Sequence, residues 1–198
     1  MKSKDGNART QLIEAAYRVL AANGYEKTSI KDIAREAGLS PGLVHYYFDS
    51  KEDLLAAVVR EATDEYCARM DYLRQSVSGD ELADSAFTES MKRVRAHSDW
   101  YRLRYELFVL GLRNPTIQPE VRELLMRGKE GVEQAIEAVA GQSLPNAANM
   151  SAILLACFDG LALQSLIDPK FNLEGAYRVL REMSIRYLKS HKERVEAE

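Results

Sequence analysis

Apolar residues recur along this chain at intervals of three and four from Leu12 to Leu188, and no stretch alternates strictly between apolar and polar. Period 3.6 without period 2 predicts helices and no strands. Nine segments carry the pattern, over roughly 8–22, 30–37, 41–47, 50–75, 80–96, 99–112, 119–140, 148–167 and 173–191. The first has Leu12, Ile13, Ala16, Val19 and Leu20 as its stripe and Gly24 as a natural stop. The eighth differs from the rest. Met150, Ile153, Leu154, Leu155, Cys157, Phe158, Leu161, Leu163, Leu166 and Ile167 surround it on nearly all sides. A helix apolar all round must be covered on more than one side. Its own core supplies one cover, and a second copy of the chain, meeting the eighth and ninth helices, is the expected other. Leu154 and Leu180 are expected in that contact.

The second and third segments are short, and their punctuation is local. Ser29 with Asp32 makes an S-x-x-D capping box, Gly38 stops the second helix, Ser40 caps the third and Pro41 opens it. A second box, Ser50 with Asp53, starts the fourth. Helix, tight turn at Gly38-Leu39-Ser40, then short helix is helix-turn-helix grammar. In that motif the second helix enters the DNA major groove, N-terminal residues over the bases. This explains a surplus of aromatics at its end. Val44 and Phe48 pack inward with Ile33 and Ala37, while Tyr46 and Tyr47 lie along the sugar–phosphate backbone. Gly42 removes a side chain where the helix approaches the groove, and Lys51 is placed for a phosphate.

Composition and charge change the picture little. The 198 residues are 46% hydrophobic and 29% charged, ordinary for a globular chain that buries a real core. The net charge of −3 is not that of a bulk polyanion binder. It is unevenly spread: residues 1–51 hold 8 Lys and Arg against 6 Asp and Glu, the remainder 19 against 24. Cys67 and Cys157 stand far apart, in no C-x-x-C or metal-ligand spacing, and read as small buried side chains in a reducing compartment. The polar N-terminus has no signal core, and no window reaches about 18 uninterrupted apolar residues. A cytoplasmic protein with no membrane segment is expected.

With these residues in view, "TSIKDIAREAGLSPGLVHYYFDSKEDLL" (28–55) resembles the TetR family of bacterial one-component transcriptional regulators. "LRNPTIQPEVRELL" (112–125) and "DGLALQSLIDP" (159–169) resemble phrases of one large subgroup of that family. The resemblance implies an all-α fold of about nine helices. A three-helix DNA-binding domain would span 1–50 and a helical ligand-binding and dimerisation domain 51–198. It implies a homodimer through the eighth and ninth helices, a palindromic double-stranded DNA operator and release by a small-molecule effector, most simply as a repressor. Carried over residue by residue, Ser29, Lys31, Ser40, Pro41, Gly42, Leu43, His45, Tyr46, Tyr47 and Lys51 should face DNA, with Lys2 and Lys4 adding phosphate contacts. The family's usual Tyr-(Tyr/Trp)-His-Phe ending is His45-Tyr46-Tyr47-Phe48 here, so histidine and tyrosine exchange places.

The candidate effector set is drawn from the fourth to eighth helices: Tyr66, Met70, Trp100, Tyr101, Arg104, Tyr105, Phe108, Met126, Phe158, Leu161 and Gln164. Together they allow an aromatic-lined cavity with polar anchors. Arg104 suits an anion and the aromatics suit a cation, so the effector's charge stays open. The rival readings are an all-α enzyme and a protein-interaction adaptor without DNA binding. For the first, the residues three before His45, His97 and His191 are Gly42, Val94 and Leu188, so the Glu-x-x-His signature of di-iron bundles is missing. H-E-x-x-H, G-x-S-x-G and G-x-x-x-x-G-K-[ST] are missing too. No catalytic group, metal or cofactor is expected. An adaptor would lack the DNA-facing set that this chain carries.

Overall fold

The computed structural model describes the backbone of residues 2–195 and the side chains of residues 7–190. Lys2, Lys4 and His191 therefore lie outside the described side chains. All regular structure among the described residues is helical: α1 Lys2–Asn23, α2 Ile30–Ala37, α3 Pro41–Tyr47, α4 Lys51–Ser76, α5 Gly79–Ala96, α6 Ser98–Arg113, α7 Gln118–Ala140, α8 Ala147–Ile167 and α9 Leu173–Val195. The fold is the all-α one expected, and most boundaries fall within two residues of the sequence pattern. The exceptions are the outer ends of α1 and α9.

The caps show why. Ser29 Oγ accepts from the Asp32 N–H at 3.2 Å, and Asp32 Oδ2 accepts from the Ser29 N–H at 3.1 Å, so both halves of the box form. Gly38 takes the left-handed conformation (φ 66°), and its N–H closes α2 on the Ala34 and Arg35 carbonyls. Ser40 Oγ accepts from the Leu43 N–H at 3.3 Å. The second box forms only in part. Ser50 Oγ accepts from the Asp53 N–H, whereas the Asp53 carboxylate takes the Asp49 N–H, one residue earlier than expected.

The chain divides into two compact units, discontinuous in sequence because α4 and α7 each run from one into the other. The first holds residues up to Glu65 together with Asp99–Leu124. Within it α1 packs on α2 and α2 on α3. Leu12, Ala16, Leu20, Ile33, Val44, Phe48, Leu54, Leu55, Val58, Leu103 and Leu107 form the buried interior. The second holds Tyr66–Ser98 and the residues from Leu125 onward. There α5 packs on α8 and α9, and α8 on α9, around Ile136, Leu144, Ala147, Met150, Leu154 and Leu188.

The eighth helix is not equally buried all round. Leu154 is 5% exposed and belongs to the second unit's own interior, and Leu180 packs partly buried against that interior. Neither stands on the outer face where the sequence reading put them. The outer face of α8 is Ile153, Ala156, Leu163 and Ile167, a single stripe at i, i+3, i+10 and i+14. That of α9 is Val179, Met183 and Tyr187. By length and apolarity α8 could cross a bilayer. Asp159 lies near its middle, and Met150, Leu154 and Ala162 are buried among protein neighbours, so one side of α8 packs on the chain and the other is open and apolar.

Candidate nucleic-acid interface

The helix-turn-helix stands on the first unit's interior. Val44 and Phe48, four apart, are both buried, and the Arg9 guanidinium lies 5.3 Å from the Phe48 ring centre. With that face turned inward, the opposite face of α3 must look outward. Pro41, Gly42, His45 and Tyr46 are exposed, Leu43 and Tyr47 half-buried. Tyr46 is 74% exposed, and its ring meets that of Tyr47 edge-on at 4.9 Å. Gly42 carries a further sign. A Cβ built there meets only Ser40 Oγ, at 3.9 Å, so the chain's own packing does not demand glycine.

Around α3 the remaining expected contacts split into two kinds. Ser29 and Lys31 are exposed at the start of α2, and Ser40 is exposed at the turn. The Ser29 hydroxyl already donates to Asp32 Oδ2 at 2.6 Å. That bond, followed by the Ser29 backbone N–H, holds the Asp32 carboxyl below the usual carboxylate range. Lys51 is half-buried, and its ammonium is engaged inside the chain. Nζ donates to the Tyr25 carbonyl at 2.8 Å and the Thr28 carbonyl at 2.9 Å, 3.9 Å from the Tyr25 ring centre.

Those bonds lead to a residue the sequence reading missed. Tyr25 sits in the short turn between α1 and α2, 7% exposed. Its hydroxyl donates to Glu52 Oε1 at 2.5 Å, and its N–H reaches both carboxylate oxygens of Glu106 on α6, at 3.3 and 3.1 Å. Burial first, then the bond to Glu52, pushes the Tyr25 hydroxyl up, and the same bond holds Glu52 down. Only "GY" after the first helix hinted at this. Glu106 lies 81 residues from Tyr25, beyond any local pattern.

The expected effector residues fall in both units. In the first, Trp100, Tyr101 and Arg104 are buried while Tyr105 and Phe108 are half-buried, all on α6. The Arg104 guanidinium, in a residue only 3% exposed, stands 4.6 Å from the Phe108 centre and 5.2 Å from that of Trp100. Trp100 meets Tyr101 edge-on at 4.7 Å, and its Nε1 reaches the Val59 carbonyl at 3.5 Å. In the second unit, the Tyr66 hydroxyl bonds Ser90 Oγ at 2.8 Å under the Arg93 guanidinium. Burial there raises the Tyr66 pKa. Phe158 stacks on Tyr177 at 5.8 Å and meets Phe87 edge-on at 5.7 Å. Met70 and Leu161 are half-buried, whereas Met126 and Gln164 are exposed. Among the described residues, no three of His, Cys, Asp and Glu gather as a metal site would require.

Two family models match this chain. Residues 12–58 fit that of "Bacterial regulatory proteins, tetR family", and residues 77–187 fit "Tetracyclin repressor-like, C-terminal domain". The chain belongs to the TetR family. It is thus a ligand-responsive transcriptional regulator. The fatty acid metabolism regulator protein of Bacillus subtilis (strain 168) is 38% identical over 61 residues, 31% of each chain. The transcriptional regulator UidR of Escherichia coli (strain K12) is 26% identical over 134 residues, 68% of this chain and 67% of its own. In structure, a transcriptional regulator from Rhodococcus sp. Rha1 superposes with a TM-score of 0.73 at 25% identity, covering 90% of this chain and 96% of the other.

Proposed function

We propose that this TetR-family regulator binds a palindromic double-stranded DNA operator as a homodimer, acts as a repressor in the cytoplasm, and leaves the operator when a small molecule binds. The observation that carries this reading is the outward face of α3. Pro41, Gly42, His45 and Tyr46 are exposed over a buried Val44 and Phe48, and glycine stands where the chain itself has room for a side chain. In the division of labour, residues 1–50 read DNA and residues 51–198 bind effector and dimerise. Ser29, Lys31, Ser40 and Tyr47 flank the reading face, and Leu43 lies within it. The N-terminus of α2 adds backbone N–H groups for phosphate.

The dimer contact is assigned to the open apolar stripes of α8 and α9. Ile153, Ala156, Leu163 and Ile167 with Val179, Met183 and Tyr187 offer a self-complementary surface, and Gly160 between them leaves room for close approach. For the effector, Arg104 framed by Trp100 and Phe108 is the strongest anchor among the candidates, and Tyr66 with Ser90 the strongest in the second unit. Selection from random duplexes tests the operator. An imperfect palindrome should be enriched, half-sites about one helical turn, roughly 34–36 Å, apart. Enrichment of nothing, or of single unpaired sites, would overturn the dimeric reading.

A further inference from the structure

Every polar group of Tyr25 is held by a different side chain. The N–H goes to Glu106, the carbonyl accepts from Lys51, and the hydroxyl donates to Glu52. Two of those partners open α4 and the third lies on α6. The bonds continue toward the start of α2. Lys51 also holds the Thr28 carbonyl, Thr28 Oγ1 donates back to the Gly24 carbonyl at 2.8 Å, and the next residue, Ser29, is the N-cap of α2. Gly24 makes the arrangement possible. It takes a left-handed φ of 76°, and a Cβ there would meet Glu106 Oε1 at 3.4 Å.

We propose that Glu106 is a positioning residue for operator binding: through Tyr25 it fixes the helix-turn-helix to α6, so that the position of α6 sets the position of the reading helix. The proposal rests on the operator reading above. Its physical basis is that a carboxylate accepting a backbone N–H is a strong and directional contact, lost if the partners separate by an ångström or so. Glu106 also stands two residues from Arg104, the assigned effector anchor on the same helix. A shift of α6 on ligand binding therefore reaches Tyr25 directly, in addition to any movement of α4.

The test uses the full-length chain and the selected operator, with companion duplexes whose half-sites are one base pair closer or further apart. Glu106→Ala removes the acceptor. Glu106→Met removes it while keeping the volume, and reports if the alanine variant does not fold. Glu106→Gln keeps an acceptor oxygen. Ala and Met should bind operator about tenfold more weakly and discriminate spacing less, while Gln stays within about twofold of the unaltered chain. The slope of affinity against salt should not change, because no phosphate contact is removed. A purely structural carboxylate would lower the melting temperature and leave the spacing preference intact, which would overturn the proposal. So would a salt slope altered by one contact, which would make Glu106 a charge acting on DNA itself. If the unaltered chain shows no operator preference, the operator reading fails instead.

Discussion

On the proposed operator reading, Gly42 would separate folding from recognition at a single residue. With open space around its Cβ position, Gly42→Ala should leave the melting temperature unchanged or raise it, since alanine in a helix is worth about 0.5–1 kcal/mol over glycine. Operator affinity should fall about tenfold, roughly 1.4 kcal/mol, as the new methyl meets the DNA. Equal affinity would mean that α3 does not approach its groove closely. Lys51 would combine both roles on the proposed operator reading. Its ammonium has three donors, two of which go to the Tyr25 and Thr28 carbonyls, and a phosphate would take the third. Lys51→Ala should weaken binding across all sequences, lower the salt slope by about one contact and lower the melting temperature. An unchanged slope would remove Lys51 from the phosphate set. Asp32 and Glu52 set the acid limit. Both carboxyls are held below their ordinary range, so the unfolded chain binds more protons than the folded one as pH falls. Their contribution is complete above ordinary carboxyl values, about 4, and is lost as pH drops through the lower folded values. Melting temperatures from pH 7 to pH 3 should fall at the acid end, and Glu52→Gln should flatten that fall.

At the scale of elements, the outer faces of α8 and α9 and the inner face of α8 make opposite forecasts. Ile153→Arg or Met183→Arg adds charge to residues 64% and 63% exposed, so each variant should fold and yet be monomeric by light scattering. Leu154→Arg places an unpaired charge in the second unit's interior and should unfold it, at a cost of several kcal/mol. A dimer that survives both outer substitutions would put the interface elsewhere. Helix-level structure was legible in the sequence because its determinants are local. The caps made by Ser29 with Asp32, by Gly38 and by Ser40 each bond backbone within four residues, and the structure forms each where the pattern put it. Orientation was less legible. Hydrophobicity alone marks Ile153 and Leu154 equally, and only packing tells which is inside. The Tyr25–Glu106 contact and the partial second capping box were beyond reach for the same reason, since each depends on where the backbone goes.

At the scale of the whole molecule, the operator reading makes affinity an ionic-strength measurement. Each phosphate neutralised by the chain releases counterions, so log affinity should fall linearly with log salt at a slope of about −0.9 per contact. Tyr46→Ala should reduce affinity for specific and random duplexes alike, because its hydroxyl is assigned to the backbone. A loss confined to the selected palindrome would make Tyr46 a base reader. The open apolar side of α8 carries a last consequence, in mass action. On the proposed interface, a second copy covering that surface would tie the folded state to how much protein is present. Melting temperature should therefore rise with protein concentration, and the Ile153→Arg chain should lose that dependence. In a cell holding few copies, the regulator's own abundance would then help to set how many operators it can occupy.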